Sequence, residues 1–292
     1  TSSILKSNNI SFNKCLIIAD KKVPKKNLLT LKKQILSKTK LTHLFNSSEK
    51  NKNQQSVNII LNKLFKNNFN RDDCIISLGG GITGDVAGYT ASIYKRGLKF
   101  INIPSTLLAQ VDSSIGGKTG INNSYGKNLV GAFFQPDLVI SDISLLKSLS
   151  KREIICGYGE IIKHSLIAPK KTFNFLNKNK FKILKLQSPY IEKAISDSCK
   201  IKRNIVQLDE KEKNIRKVLN LGHTFAHAYE ATLKYSGKLN HGEAVILGIN
   251  SAVKFSLQNK LLNKNIHDQI LSHINHLKLP NNLNKYFNKK NI

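Results

Sequence analysis

The sequence contains no methionine, only 18 acidic residues and only four cysteines among its 292 positions. It also lacks any apolar run of the ~18–20 residues that a bilayer requires. The best candidate, NLVGAFFQPDLVISDISLL, is interrupted by Asp137 and Asp142. No membrane partner is expected. A chain that starts at Thr1 without methionine reads as a piece of a longer product, so the lack of a signal-peptide pattern carries little weight. Cys15, Cys74, Cys156 and Cys199 lie far apart with no CxxC pair. Free, mostly buried thiols in a reducing, cytoplasmic compartment are the expectation.

The shortage of acid leaves 47 Lys+Arg against 18 Asp+Glu, a formal charge of +29. Such a surplus attracts nucleic acid or anionic small molecules. The lysines are scattered, however, with no three in a row, and Asn and Ile are abundant. A compositional bias toward Lys, Asn and Ile accounts for the charge as well as any partner does. Neither zinc-finger spacing nor an RNP-like aromatic motif occurs, so no nucleic-acid partner is expected.

What is present is enough apolar residue, 40%, for a core and enough length for two domains. The first half alternates apolar runs with helical patterns. CLIIA (15–19), CIISL (74–78), KFINIP (99–104) and DLVISD (137–142) read as strands. SVNIILNKLFKNN (56–68) and GDVAGYTASIYKRG (84–97) read as helices. That alternation predicts a parallel α/β sheet. From about residue 145 the strand signals stop and helical periodicity continues. The expected domains are 1–147, α/β, and 148–292, all-α, without internal repeats.

Gly79, Gly81 and Gly84 fit G-x-G-x-x-G after a strand and before a helix. Such a turn lets backbone approach a pyrophosphate at a helix N-terminus. A tight turn with no ligand is the plainer alternative. Asp85 at the helix start is atypical, because it would repel phosphate while accepting a hydrogen bond from a hydroxyl or amide. An acid about 20 residues on is also missing, which makes Asp20, at the end of an earlier strand, the better ribose candidate. A second segment, IPSTLLAQVDSSIGGKTGIN (103–122) with GKNLVGAFFQP (126–136), is crowded with Gly, Ser and Thr. Its Lys118, Lys127 and Asn128 supply charge and polarity for a phosphate or carboxylate.

Glu160, His223 and His241 offer one carboxylate and two imidazoles, a donor set that a catalytic Zn²⁺ uses with a position left open. Singly, each histidine is more simply a satisfied core or surface residue. Gly222 before His223 and Gly242 after His241 give room for close approach. His223 and His227 are four apart, but Thr224 stands where a zincin has its Glu, so a protease of that type is not expected. Lys163, one turn from Glu160, needs an anionic partner if buried, which a substrate would supply.

Together GGGITGDVAGY, the 103–133 block, GEIIKH, LNLGHTFAHAYE and LNHGEAV resemble 3-dehydroquinate synthase, one of the sugar-phosphate cyclases, from about Asp20 to about Pro280. The resemblance implies an NAD-binding α/β domain followed by a helical metal-binding domain, a fold shared with metal-dependent glycerol dehydrogenases. It implies a carbon–oxygen lyase that converts 3-deoxy-D-arabino-heptulosonate 7-phosphate to 3-dehydroquinate and phosphate in the shikimate pathway to aromatic amino acids. By motif, Glu160, His223 and His241 match ligands of Zn²⁺ or Co²⁺. Lys118, Asn128, Asn220 and His227 match the phosphate end of the substrate site, and Lys202 and Arg216 its carboxylate end. Asp112 and Lys163 match contacts to substrate hydroxyls. Arg96 matches an arginine that reaches the neighbouring subunit's phosphate, implying a homodimer. Asp20, Gly81, Asp85, Ser105, Thr106 and Lys127 match the NAD site, which Asp112 and Lys118 also border; Glu49 and Lys52 match it loosely.

Some positions depart from the family pattern. Lys211 replaces the usual Arg, Ser105 replaces a common Thr, and an opening strand and a distal C-terminal segment are not found. Two alternatives remain at this point: another sugar-phosphate cyclase, against which Lys202 and Arg216 argue, and an NAD- and metal-dependent polyol dehydrogenase, whose neutral substrate needs no such cations.

Overall fold

A computed structural model describes residues 1–233, 237–277 and 279; Pro280, where the resemblance ends, lies outside them. The chain divides into two compact units, Thr1–Leu149 and Ser150–Ile292.

The first unit runs α1 (Ser2–Ser7), β1 (Lys14–Asp20), α2 (Lys25–Gln34), β2 (Thr39–Phe45), α3 (Gln54–Lys66), β3 (Cys74–Gly79), α4 (Gly81–Ile93), β4 (Lys99–Pro104), β5 (Lys118–Asn123), β6 (Gly126–Phe133) and β7 (Leu138–Val139). Five strands form a parallel sheet in the order β2-β1-β3-β4-β7. Both faces are covered, so β1 is apolar at successive positions rather than alternately. Leu16 and Ile18 pack with Val57, Ile60 and Leu64 of α3 and with Val86 and Ala87 of α4. Ile17 and Ala19 face the other way, toward Leu31 of α2, Ile35 and Leu145.

One local expectation needs correction, and two elements went unread. The run 137–142 is a strand only at Leu138–Val139, because Asp142 leaves the sheet to cap the next turn through Ser144 N–H. The Gly- and Ser-rich segment folds partly as an antiparallel hairpin, β5 with β6; its small residues hid the alternation. The edge strand β2, TKLTHLF, was overlooked because it is only partly buried and carries Lys and His.

The second unit is helical: α5 (Lys151–Leu166), α6 (Lys170–Leu184), α7 (Tyr190–Leu208), α8 (His223–Thr232), α9 (His241–Gln258) and α10 (Lys264–Asn275). Capping boxes start α5, through Ser150 and Glu153, and α9, through Asn240 and Glu243. Among the described residues no helix is long and apolar enough to cross a membrane.

A polar chain threads this helical core. The Tyr158 hydroxyl lies 3.0 Å from His273 Nε2, and His273 Nδ1 lies 2.9 Å from Asn177 Oδ1. Tyr158 and His273 are fully buried. With the proton on Nδ1, a neutral His273 donates to Asn177 and accepts from Tyr158, satisfying both nitrogens. Burial, reinforced by the charges of Lys180 and His276, pushes the His273 imidazole down to about 4 from 6.5. The unfolded chain therefore binds the extra proton first, and stability is lost as pH falls from about 6.5 through about 4. A shift of that size corresponds to about 3 kcal/mol. Urea titrations between pH 7 and 4 should show this loss in the wild type and a flatter profile in H273Q.

Candidate active site

In the first unit, the sheet reverses its winding between β1 and β3, since β2 lies on one side of β1 and β3 on the other. Ligands of open α/β sheets bind in the crevice beyond the strand ends at such a point. Ala19 pairs with Leu78, so the next residues, Asp20 and Gly79, open the crevice together. Gly80 caps α4 there, and the Ser105 N–H donates to the Gly79 carbonyl at 2.8 Å. Thr106 Oγ1 accepts from Ala109 N–H at 3.1 Å. Asp20, Gly81, Ser105 and Thr106 are thus gathered at the end of the sheet.

Asp85 does not sit at the start of α4, as expected from the sequence, but about a turn inside it. Its carboxylate meets Lys52 Nζ at 2.5 Å, and the same ammonium donates to Asn128 Oδ1 at 2.5 Å. Lys52 is 5% exposed, and this pairing answers the electrostatic objection to an acid near a phosphate site. Glu49 joins the cluster through Asn122 Nδ2 at 2.8 Å and through Lys127 Nζ at 3.8 Å. Residues matched only loosely by motif are therefore central to this group. Asp85 and Lys118 line one small cleft with Ser113, beside Asp112. Arg96 lies apart, on an exposed turn where Lys95, Arg96 and Gly97 all have positive φ (47°, 66° and 130°). Arg71 Nε holds the Lys95 carbonyl at 2.9 Å and Lys95 Nζ holds the Phe69 carbonyl at 2.8 Å.

In the second unit three helices bring three donors together. Glu160, in the middle of α5, is fully buried. His223 opens α8 and His241 opens α9. Their Nε2 atoms lie 3.9 and 3.7 Å from Glu160 Oε1, and one atom from each residue falls within a 4.8 Å cluster. Ligand atoms about 2.0–2.2 Å from a tetrahedral ion stand a little over 3 Å apart, so this set fits a divalent cation after small adjustment. The other ring nitrogens face outward: His223 Nδ1 is 3.5 Å from the Leu221 carbonyl, and His241 Nδ1 is 3.5 Å from Glu230 Oε1. Cys156 is close by, its Sγ accepting from the Gly242 N–H at 3.3 Å. Burial pushes its thiol up to about 12, and the nearby carboxylates of Glu160, Glu243 and Glu153 add to this, against the Gly242 N–H.

Lys163 is 2% exposed and ion-pairs with Glu160 itself; the anion expected from a substrate is here the Glu160 carboxylate. His227 stacks edge-on with His223 at 5.6 Å between rings. Lys202 and Arg216 are both buried, at 7% and 3% exposure. Arg216 donates to the Glu210 carbonyl, and Asn220 Nδ2 donates to Glu212 Oε1 at 3.0 Å.

Backbone contacts hold the three helices in this arrangement. A Cβ on Gly242 would stand 2.0 Å from the Cys156 carbonyl oxygen, so α9 crosses α5 backbone to backbone. One on Gly248 would stand 2.0 Å from the Gly222 carbonyl oxygen, so α8 and α9 touch likewise, and Gly222 itself takes φ +81° to start α8. Arg152 then grips Glu243 through two bonds of 2.7 Å, and Glu243 is also the N3 residue of the α9 capping box. Neither Arg152 nor Glu243 was singled out from sequence; the S-x-x-E and N-x-x-E spacings were the available signal.

Comparisons with known proteins give the family. The models "3-dehydroquinate synthase N-terminal" and "3-dehydroquinate synthase C-terminal" match residues 42–156 and 157–291. The chain belongs to the 3-dehydroquinate synthase family. It is 61% identical to the 3-dehydroquinate synthase of Pelagibacter ubique (strain HTCC1062) over 288 residues, 99% of this chain and 78% of that protein. It is 41% identical to the enzyme of Legionella pneumophila (strain Lens), covering 94% of this chain and 74% of that one. Among solved structures, a 2-deoxy-scyllo-inosose synthase complexed with carbaglucose-6-phosphate, NAD⁺ and Co²⁺ superposes with a TM-score of 0.87 at 27% identity, over 95% of this chain and 76% of that one.

Gly248→Ala tests the contact between α8 and α9. In an open helix this change would add about 1 kcal/mol of helix propensity. Here overpacking against backbone should reverse the sign and cost about 1–3 kcal/mol, lowering the denaturant midpoint and weakening metal uptake together. A stabilised variant with undiminished metal uptake would show that the helices are not pinned there.

Proposed function

We propose that this chain catalyses the conversion of 3-deoxy-D-arabino-heptulosonate 7-phosphate to 3-dehydroquinate and phosphate, the second step of the shikimate pathway, with NAD and Zn²⁺ or Co²⁺ as cofactors. The observation that carries this reading is the convergence of Glu160, His223 and His241 within 4.8 Å. The chain's 61% identity to a 3-dehydroquinate synthase supports it. The relative solved with NAD⁺ and Co²⁺ supports the cofactor assignment.

Glu160, His223 and His241 would hold the cation. Asp20 would accept hydrogen bonds from ribose hydroxyls, and backbone N–H groups at the start of α4 would meet the pyrophosphate. Gly81, Asp85, Ser105, Thr106, Lys127, Glu49 and Lys52 would border the same nucleotide. When bound, the cation lowers the pKa of a substrate hydroxyl while the nicotinamide takes up and later returns a hydride, so neither group is consumed.

The chain's own side chains bind and orient. Lys118, Asn128, Asn220 and His227 are assigned to the substrate phosphate, and Asp112 and Lys163 to its hydroxyls. Lys202 and Arg216 are assigned to the carboxylate. Both are buried, and a fixed, little-hydrated cation binds a carboxylate through charge-assisted hydrogen bonds. Holding a dianion and a carboxylate in register contributes through orientation, an effect that reaches about 7–11 kcal/mol in favourable systems. We also assign the enzyme to the cytoplasm as a homodimer, with Arg96 of one copy reaching the phosphate bound by the other. The exposed position of Arg96 on its left-handed turn supports that role.

Incubation with the heptulosonate phosphate and trace NAD should release phosphate in many-fold excess over NAD, with no accumulation of NADH. Net NADH formation without phosphate would favour a polyol dehydrogenase. EDTA should abolish turnover, and Zn²⁺ or Co²⁺ should restore it; turnover that persists after exhaustive metal removal would refute the assignment.

Arg216→Ala should lower kcat/KM by ~30-fold or more, as expected when one partner of a buried charge pair is removed at about 2–5 kcal/mol. NAD affinity should not change. An unaltered kcat/KM would remove Arg216 from the substrate site.

A further inference from the structure

Helix α8 carries His223, His227 and Glu230 at positions i, i+4 and i+7, which fall on one face. The first faces the metal cluster and the second stacks on the first. The third points at the other imidazole: Glu230 Oε1 stands 3.5 Å from His241 Nδ1, while His241 Nε2 stands 3.7 Å from Glu160 Oε1. One ring is thus bracketed by two carboxylates, each facing a different nitrogen. We infer that Glu230 is a positioning residue for His241, holding its Nδ1–H and so directing the Nε2 lone pair at the cation. The inference rests on reading Glu160, His223 and His241 as the metal ligands and extends it to the shell behind them.

The chemistry of the ring requires such a partner. A neutral imidazole carries one proton, and only the nitrogen without it can bind a metal. A hydrogen-bond acceptor behind the distal nitrogen selects the tautomer, fixes the ring plane and raises the basicity of the ligating nitrogen. His223 has a backbone carbonyl, that of Leu221, in this position. His241 has a carboxylate instead, which adds negative charge to a site whose charged ligand is Glu160. Glu230 faces Nδ1 and not the Nε2 side, so it backs the ligand rather than joining it. Its side chain is 14% exposed, which limits screening by water. Its helix turn is fixed relative to α9 by the adjacent residue, because the Tyr229 hydroxyl meets Ser251 Oγ at 2.6 Å.

The test uses the whole chain with Co²⁺ alone as probe. Its dissociation constant is measured by chelator competition, and the geometry is read from the cobalt visible absorption bands. Loss of outer-shell partners typically costs 10–100-fold in metal affinity. E230A should fall in that range and shift the bands. E230Q, which keeps an oxygen acceptor at the same reach without the charge, should lose less and keep bands closer to wild type. Thermal midpoints of the metal-free forms should stay together, which separates positioning from folding. If E230A does not fold, E230Q decides by the same two readouts. Cobalt affinity and bands identical to wild type in the folded variants would overturn the inference while leaving the ligand assignment intact. A wild-type chain that takes up no cobalt would refute the ligand assignment itself and the inference with it.

Discussion

The candidate active centre of the helical unit depends on backbone touching backbone. Glu160, His223 and His241 are far apart in sequence, and no side-chain pattern alone draws them together. What does so is the approach of α9 to α5 and α8 at Gly242 and Gly248, where a single added carbon would meet a carbonyl oxygen at 2.0 Å. At that separation the helices cannot slide without clash, because packed interiors are dense and resist deformation. The donor atoms inherit their spacing from the helix axes. Arg152, Glu243 and Asn240 then fix where α9 begins, and with it the residue that presents an imidazole.

The α/β unit solves its problem by register. Parallel pairing of β1 with β3 sets Asp20 beside the glycine turn, and the winding reversal opens the space beyond them. Lys52 then ties the α4 carboxylate to the hairpin through two 2.5 Å contacts. A buried ammonium with a carboxylate and an amide oxygen around it is well matched, and it draws the segment after β2, the helix after β3 and the hairpin into one cluster.

Much of this was legible in the residues. The apolar runs at β1, β3 and β4 announced strands because both sheet faces are covered, leaving no polar alternation to blur them. The glycine turn announced itself by lying between such a run and a helix. The candidate donor set was legible because glycines flank both histidines, and those glycines proved to be helix contacts. What stayed hidden depended on partners distant in sequence. Lys52 reads as one lysine among many until Asp85 and Asn128 surround it. The partner of Lys163 was sought in a substrate and found in Glu160, since the i,i+3 relation carries no sign of what else competes for the carboxylate. Strand β2 and the hairpin were obscured by partial burial and by small residues, respectively.

The strongly cationic surface has a further meaning in light of these contacts. Helix α6, KKTFNFLNKNKFKIL, buries only Phe173, Leu176, Asn179 and Ile183, while lysines such as Lys170, Lys171 and Lys178 lie exposed on it. Carbonyl oxygens, strand register and a few glycines do not report what such outward positions carry. A genome drifting toward particular codons can therefore repaint most of this exterior while both active regions keep their shape.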